Sequence, residues 1–165
     1  MTYDVRAVAN FLLDVADDQG VELTNLSLNK LIYFLHAESL VRDRLPLTSA
    51  KIEAWKFGPV FREVYSQFRS NGARPIKGRA KRIDRTTGEI VVCTLDADEQ
   101  TKNLLSGYCA PFLHMSASQL VTLSHRVGDA WHEAFYHESD SNPGMAITDE
   151  AITRLYAPRP DQSRH

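Results

Sequence analysis

Leu28, Leu31, Ile32 and Leu35 recur every three or four residues inside a run, residues 28–43, that contains neither glycine nor proline. That spacing stacks them on one face of a helix. A cap-competent Asn25 or Ser27 stands ahead of it, and the run reaches Asp43 before the turn-like Arg44-Leu45-Pro46. It is the most apolar helical stretch in the chain. The segment before it repeats the pattern: Val5, Val8, Ala9, Leu12, Leu13 and Ala16 alternate with polar residues from about residue 4 to 18, up to Gly20. A chain that opens with two such helices has a mainly helical fold as its default.

Beyond residue 50 the period shortens. Residues 51–57 alternate Ile52 and Ala54 against Glu53, Trp55 and Phe57, which predicts a short extended stretch, and Gly58-Pro59 reads as the turn that ends it. Val60, Phe61, Val64, Tyr65 and Phe68 return to helical spacing, which places a third helix at about 59–69 with the proline in its first turn. Thr86-Thr87-Gly88 reads as a turn between two short strands, the second being Glu89–Leu95. Asp96 with Glu99 fits a capping box for a helix that Pro111 ends or kinks, and Ser116 with Gln119 fits another. Helical pieces follow from Trp131 to about His137 and, after a polar loop, from Thr148 through Ile152 and Leu155 to Pro158. The expected fold is mainly α (α+β): a single compact helical domain over residues 1–157 with a small β-hairpin insertion, then a disordered tail at 158–165.

Composition agrees with a globular domain. The chain has 165 residues, 43% hydrophobic and 24% charged, which excludes a collagen, a coiled-coil rod and a disordered tail. A domain of this length buries roughly two-thirds of its unfolded surface and needs no metal or disulfide to fold. Cys93 and Cys109 lack CxxC spacing, which points to a reducing, cytoplasmic setting. The first residues carry Asp4 and Arg6, and Asn10 and Asp14 interrupt the apolar stretch behind them, so no secretory h-region is expected. Nor does any stretch approach the roughly 18 apolar residues of a membrane span, so no membrane partner is expected.

The formal charge of −2 hides an asymmetry. Between Arg69 and Arg85 seven cations, Arg69, Arg74, Lys77, Arg79, Lys81, Arg82 and Arg85, stand against Asp84 alone. With Gly72, Pro75 and Gly78 among them they read as an exposed basic loop running into the hairpin. Such a run grips phosphates or steers an acidic protein partner. No aromatic is interleaved with the cations, as a platform for stacked single-strand bases would require.

Catalytic chemistry finds little support. His125, His132, Glu133 and His137 invite a metal or hydrolase reading, but no HExxH spacing puts two imidazoles on one helical face. No GxSxG, GxGxxG or GxxxxGK[ST] loop occurs, and neither cysteine has a nucleophile signature around it. The residues therefore indicate no enzyme, no cofactor and no metal. The aromatic cluster of Trp55, Phe57, Phe61, Tyr65 and Phe68 serves either as core or as a partner anchor, and the sequence leaves both open.

Asn29-Lys30-Leu31-Ile32-Tyr33-Phe34-Leu35-His36-Ala37, then Ile52-Glu53-Ala54-Trp55-Lys56-Phe57-Gly58-Pro59-Val60, then Val64-Tyr65 resemble the Panacea domain, in which a K-L-x-Y helix precedes an E-A-W-x-x-G-P-V stretch. Leu123-Ser124-His125 followed by Ala130-Trp131 resembles the family's second signature, and Ile147 to Ile152 its closing helix. The likeness spans about residues 3–157 and is strongest to the SocA-like antitoxins, also known as GepA-type phage-associated proteins. The chain departs from it in the basic 69–85 stretch and at Ala130, where a proline is common.

The resemblance implies a non-enzymatic antitoxin that binds and neutralises a cognate toxin. It also implies an adaptor role, delivering the toxin to an AAA+ protease such as ClpXP. The partner-binding residues expected are Lys30, Tyr33, Trp55, Lys56, Phe57 and Pro59, with Arg74, Lys77, Arg79, Lys81 and Arg82 steering. The alternative is a nucleic-acid-binding regulator that uses the basic hairpin.

Overall fold

The computed structural model describes residues 2–126, 128–136 and 145–158. Helix α1 (Val5–Asp18) starts at Asp4, whose carboxylate accepts the Arg6 N–H. Helix α2 (Asn25–Asp43) is capped one residue before the two candidates. Thr24 accepts the Ser27 N–H, and the Ser27 hydroxyl accepts the Thr24 N–H in return. Asn25 is free for another task and donates its side-chain amide to the Tyr65 carbonyl.

The α2 helix is the axis of the molecule. Every residue from Ser27 to Leu40 is buried, because α1, α4, α5, α7 and strand β2 all pack against it. A helix covered on all sides keeps no solvent-facing polar stripe, and its polar residues Asn29, Lys30, His36 and Glu38 are buried and hydrogen-bonded instead.

The segment after residue 50 departs from expectation. Strand β1 (Ile52–Trp55) and strand β2 (Gly58–Phe61) form an antiparallel hairpin with Trp55 opposite Gly58, so the turn is Lys56-Phe57. Gly58-Pro59 begins a strand instead of a turn, and helix α3 (Arg62–Gln67) starts three residues later than predicted. Proline is tolerated there because β2 pairs only with β1 and lies at the sheet edge. On the other side β1 pairs with a two-residue strand, β5 (Ala146–Ile147), too short to leave a pattern in the sequence.

The basic segment folds as expected into a second hairpin, β3 (Lys81–Ile83) and β4 (Ile90–Val92), after a 3-10 turn at Arg69–Asn71. Helix α4 (Glu99–Leu113) takes Asp98, not Asp96, as its cap, and it continues through Pro111. Phe112 and Leu113, each 1% exposed, anchor the turn that proline would otherwise end, with Phe112 stacked on Phe34 at 4.8 Å. Helix α5 (Ala117–Ser124) carries the Ser116–Gln119 capping box. Helix α6 (Ala130–Phe135) and helix α7 (Asp149–Leu155), capped by Thr148, complete the chain.

The polar loop at 137–144, with His137, and positions 159–165 of the expected tail lie outside the described residues. Cys93 and Cys109 are buried and unbonded to each other, and burial pushes the Cys109 thiol up to about 12. Each behaves as a small apolar residue.

One buried amide ties the β3–β4 hairpin to α1. Asn10, 4% exposed, donates to the Ala80 and Cys93 carbonyls at 2.9 and 2.8 Å and accepts the Ala80 N–H at 2.8 Å. Asn10→Leu takes their side-chain partner from the Cys93 carbonyl and the Ala80 N–H, while the Ala80 carbonyl keeps the Cys93 N–H, and is expected to cost about 1–3 kcal/mol, read as a lower urea midpoint with an unchanged m-value.

Candidate functional site

The turn of the first hairpin projects Lys56 and Phe57 into solvent, Phe57 with 57% of its surface exposed. The half-buried Trp55 beside them is held from two directions. Its ring meets Tyr65 edge-on at 4.9 Å, and the Arg62 guanidinium lies over it at 5.7 Å. Arg62 is itself fixed by a two-pronged bond to Glu53, at 2.9 and 3.0 Å. That guanidinium holds the Glu53 carboxyl below the usual range. Together with Leu26 at the start of α2, Val60 and Arg69, the turn encloses an apolar cleft of about 360 Å³.

Behind the turn the other signature residues converge. Lys30 is 0% exposed and donates from Nζ to the Pro59 carbonyl at 2.9 Å. Asn29 accepts the Phe61 N–H at 2.9 Å. Trp131 donates from Nε1 to the Trp55 carbonyl at 2.8 Å and stacks on His125, with ring centres 3.7 Å apart. Gly58 lies between these groups at φ +111°. A β-carbon there would stand 2.5 Å from Lys30 Cε and 2.6 Å from Ser124 Oγ.

Desolvation dominates the electrostatics of this support. With no carboxylate beside it, the Lys30 ammonium is pushed down to about 7. Burial and the nearby Lys30 charge both lower His125, whose buried Nε2 has no hydrogen-bond partner among the described residues. Burial raises the Tyr33 hydroxyl, and the Asp129 carboxylate adds to that.

The expected partner-binding residues thus divide. Trp55, Lys56 and Phe57 reach the surface together and line one cleft. Lys30, Tyr33 and Pro59 are buried, with Lys30 bonded to the Pro59 carbonyl behind the turn and reaching the cleft lining. The basic residues divide as well. Arg74 caps its own loop through the Asn71 and Ser70 carbonyls, Lys77 pairs with Glu22 at 3.2 Å, and Arg79 bridges Asp14 and Asp17. Lys81 and Arg82 are exposed on the hairpin and make no ion pair among the described residues.

Tyr65, from the aromatic cluster, and Arg69, from the basic run, also line the cleft, as does Leu26, which sequence reasoning missed; it also missed that Glu53 and Arg62 pair to brace Trp55. Of the residues of the hydrolase reading, His137 lies outside the described residues. His125 is stacked on Trp131, Glu133 bonds Arg154 at 3.0 Å, and no group of His, Cys, Asp and Glu among the described residues could hold a metal. Among the same residues no helix is long and apolar enough to cross a membrane.

Side chains of α2 and α6 hold the aromatic turn from behind. The family model described as "Antitoxin SocA-like, Panacea domain" matches residues 28–132, which takes in both signature blocks and the cleft lining apart from Asn25 and Leu26. Antitoxin SocA of Caulobacter vibrioides (strain NA1000 / CB15N) is 41% identical over 144 residues, covering 87% of this chain and 76% of the relative. The chain belongs to the SocA-like, Panacea-domain antitoxin family. No solved structure matches it significantly.

Two substitutions probe the support. Gly58→Ala combines a strained backbone, about 1–3 kcal/mol, with overpacking against Lys30 and Ser124, about 1–3 kcal/mol. A fall in the urea midpoint equivalent to at least about 2 kcal/mol is expected. The second probe is pH. The unfolded chain holds the Lys30 proton up to about 10.5 whereas the folded protein releases it at about 7, so stability rises with pH across that window. Lys30→Met removes this contribution. The difference between wild type and variant in urea-derived stability is expected to change between pH 7 and 10 by up to about 1.4 kcal/mol per unit.

Proposed function

We propose that this protein is the antitoxin of a toxin–antitoxin pair, and that it binds its cognate toxin and neutralises it. The observation that carries the reading is the 41% identity to Antitoxin SocA over 87% of the chain. The cleft formed by Trp55, Phe57, Tyr65 and Leu26 supports the same reading, since aromatic anchors in a recess dominate protein–protein affinity. Neutralisation by binding needs complementary surface and no catalytic constellation. The protein acts in the cytoplasm and is not an enzyme. Its family resemblance supports a further step in which it presents the bound toxin to an AAA+ protease such as ClpXP.

A nucleic-acid regulator is the weaker reading. Two of the cations it would use, Lys77 and Arg79, are already paired with acids of the same chain.

The product of a neighbouring gene is expected to arrest growth when expressed alone, and co-expression of this chain to restore it. Phe57→Ala with Lys56→Glu changes two exposed side chains. Loss of an anchor of this kind is worth about 2 kcal/mol, or roughly thirtyfold in Kd, and is expected to abolish rescue while leaving the melting temperature unchanged. For the adaptor step, purified ClpXP is expected to shorten the toxin's half-life only when this protein is added.

A further inference from the structure

The β3–β4 hairpin leaves apolar surface in solvent that the fold does not use. Ile83 and Ile90 face each other across the strands with 65% and 72% of their surface exposed. Val92, on the same face opposite Lys81, is 50% exposed. Soluble proteins seldom gather aliphatic side chains in one exposed patch unless something covers it.

The arm is also held in shape before anything binds. Asn10 ties the base of both strands to α1, Gln67 Oε1 accepts the Lys81 N–H at 2.9 Å, and Asp84 braces the turn through the Thr86 and Thr87 N–H groups. A preformed arm loses little conformational freedom on docking.

The charges around the patch say what covers it. Lys77 and Arg79, at the root, are neutralised by Glu22, Asp14 and Asp17. Lys81, on the aliphatic face, Arg82, on the opposite face of β3, and Arg85, just past the end of that strand, make no ion pair among the described residues. A second copy of this chain would set these cations against themselves, which is repulsive. A phosphate backbone would satisfy the cations and leave the three aliphatics in water. An acidic protein surface with an apolar centre satisfies both sets.

The arm lies next to the cleft, with α3 as the wall between them. Tyr65 lines the cleft, whereas Gln67 lines a recess of about 1090 Å³ bounded by Arg6, Arg82, Ile83 and Ile90. A stable interface buries about 800 Å² on each partner, more than the cleft alone offers.

We propose that the β3–β4 hairpin is a preformed docking arm for an acidic, apolar-centred surface of the cognate toxin. Ile83, Ile90 and Val92 pack against that surface, and Lys81, Arg82 and Arg85 pair with its carboxylates. The proposal rests on the antitoxin reading and adds the chemistry of the partner to it.

The test titrates the full chain with the purified product of the neighbouring gene, by calorimetry and by stopped flow, at low and high salt. All five side chains to be changed are exposed, so both variants are expected to melt as wild type does. Ile83→Ser with Ile90→Ser is expected to raise Kd by roughly tenfold or more while keeping the salt dependence. Lys81→Glu, Arg82→Glu and Arg85→Glu together are expected to slow association by roughly tenfold or more and to flatten that dependence. If both variants bind the toxin as wild type does, the proposal is overturned and neutralisation through the cleft stands. If wild type does not bind the toxin, the antitoxin reading and this proposal fall together. A parallel titration with mixed-sequence duplex DNA is expected to show no binding. Hairpin-dependent DNA binding with unchanged toxin affinity would overturn the proposal in favour of nucleic acid.

Discussion

A lysine with no surface in water is costly, and much of this structure is arranged around one. Lys30 stands in the middle of the buried axis α2, and its Nζ reaches the Pro59 carbonyl on the first hairpin. Bringing that ammonium out of water carries a penalty that a single carbonyl offsets only in part. What the contact achieves is position. Lys30 from behind and Asn29 at the Phe61 N–H, both on α2, and Trp131 of α6 at the Trp55 carbonyl fix one hairpin from two separate helices. Gly58 is required because the lysine stem fills the space a side chain would need.

This convergence explains why sequence blocks far apart carry one signature. The K-L-x-Y helix, the G-P-V strand and the L-S-H block meet in one packed layer, so each constrains the others through contact. The part that reaches solvent is small: Trp55, Lys56 and Phe57, set over a support that gives the turn few ways to move. An interaction protein gains from that arrangement because a rigid anchor loses little freedom on binding.

The long helices were legible in the sequence because their apolar residues keep one period over many turns, and α1 falls within a residue of where the pattern puts it. The basic hairpin was legible from its turn residues. The first hairpin was not, because Gly-Pro reads as a stop when only local preference is considered. Its edge position, set by tertiary pairing, makes proline acceptable. Pro111 misleads in the same way, since the burial of Phe112 and Leu113 outweighs the break it favours. For the candidate site, the motif could not tell the exposed Phe57 from the buried Lys30 and Tyr33, because depth depends on which helices arrive from elsewhere in the chain.

Pro59 has a consequence for the molecule in isolation. Strand β2 is the outer edge of its sheet, and an edge left open is a template on which another extended chain can add, but α2 packs over β2 and every residue of the strand is buried. Proline offers no N–H there, and the carbonyl of the same residue is occupied by Lys30. One peptide unit on that edge is therefore closed to incoming strands as both donor and acceptor. The residue that seats the aromatic turn thus also joins the sheet edge to the buried axis, where Asn29 takes the Phe61 N–H as well.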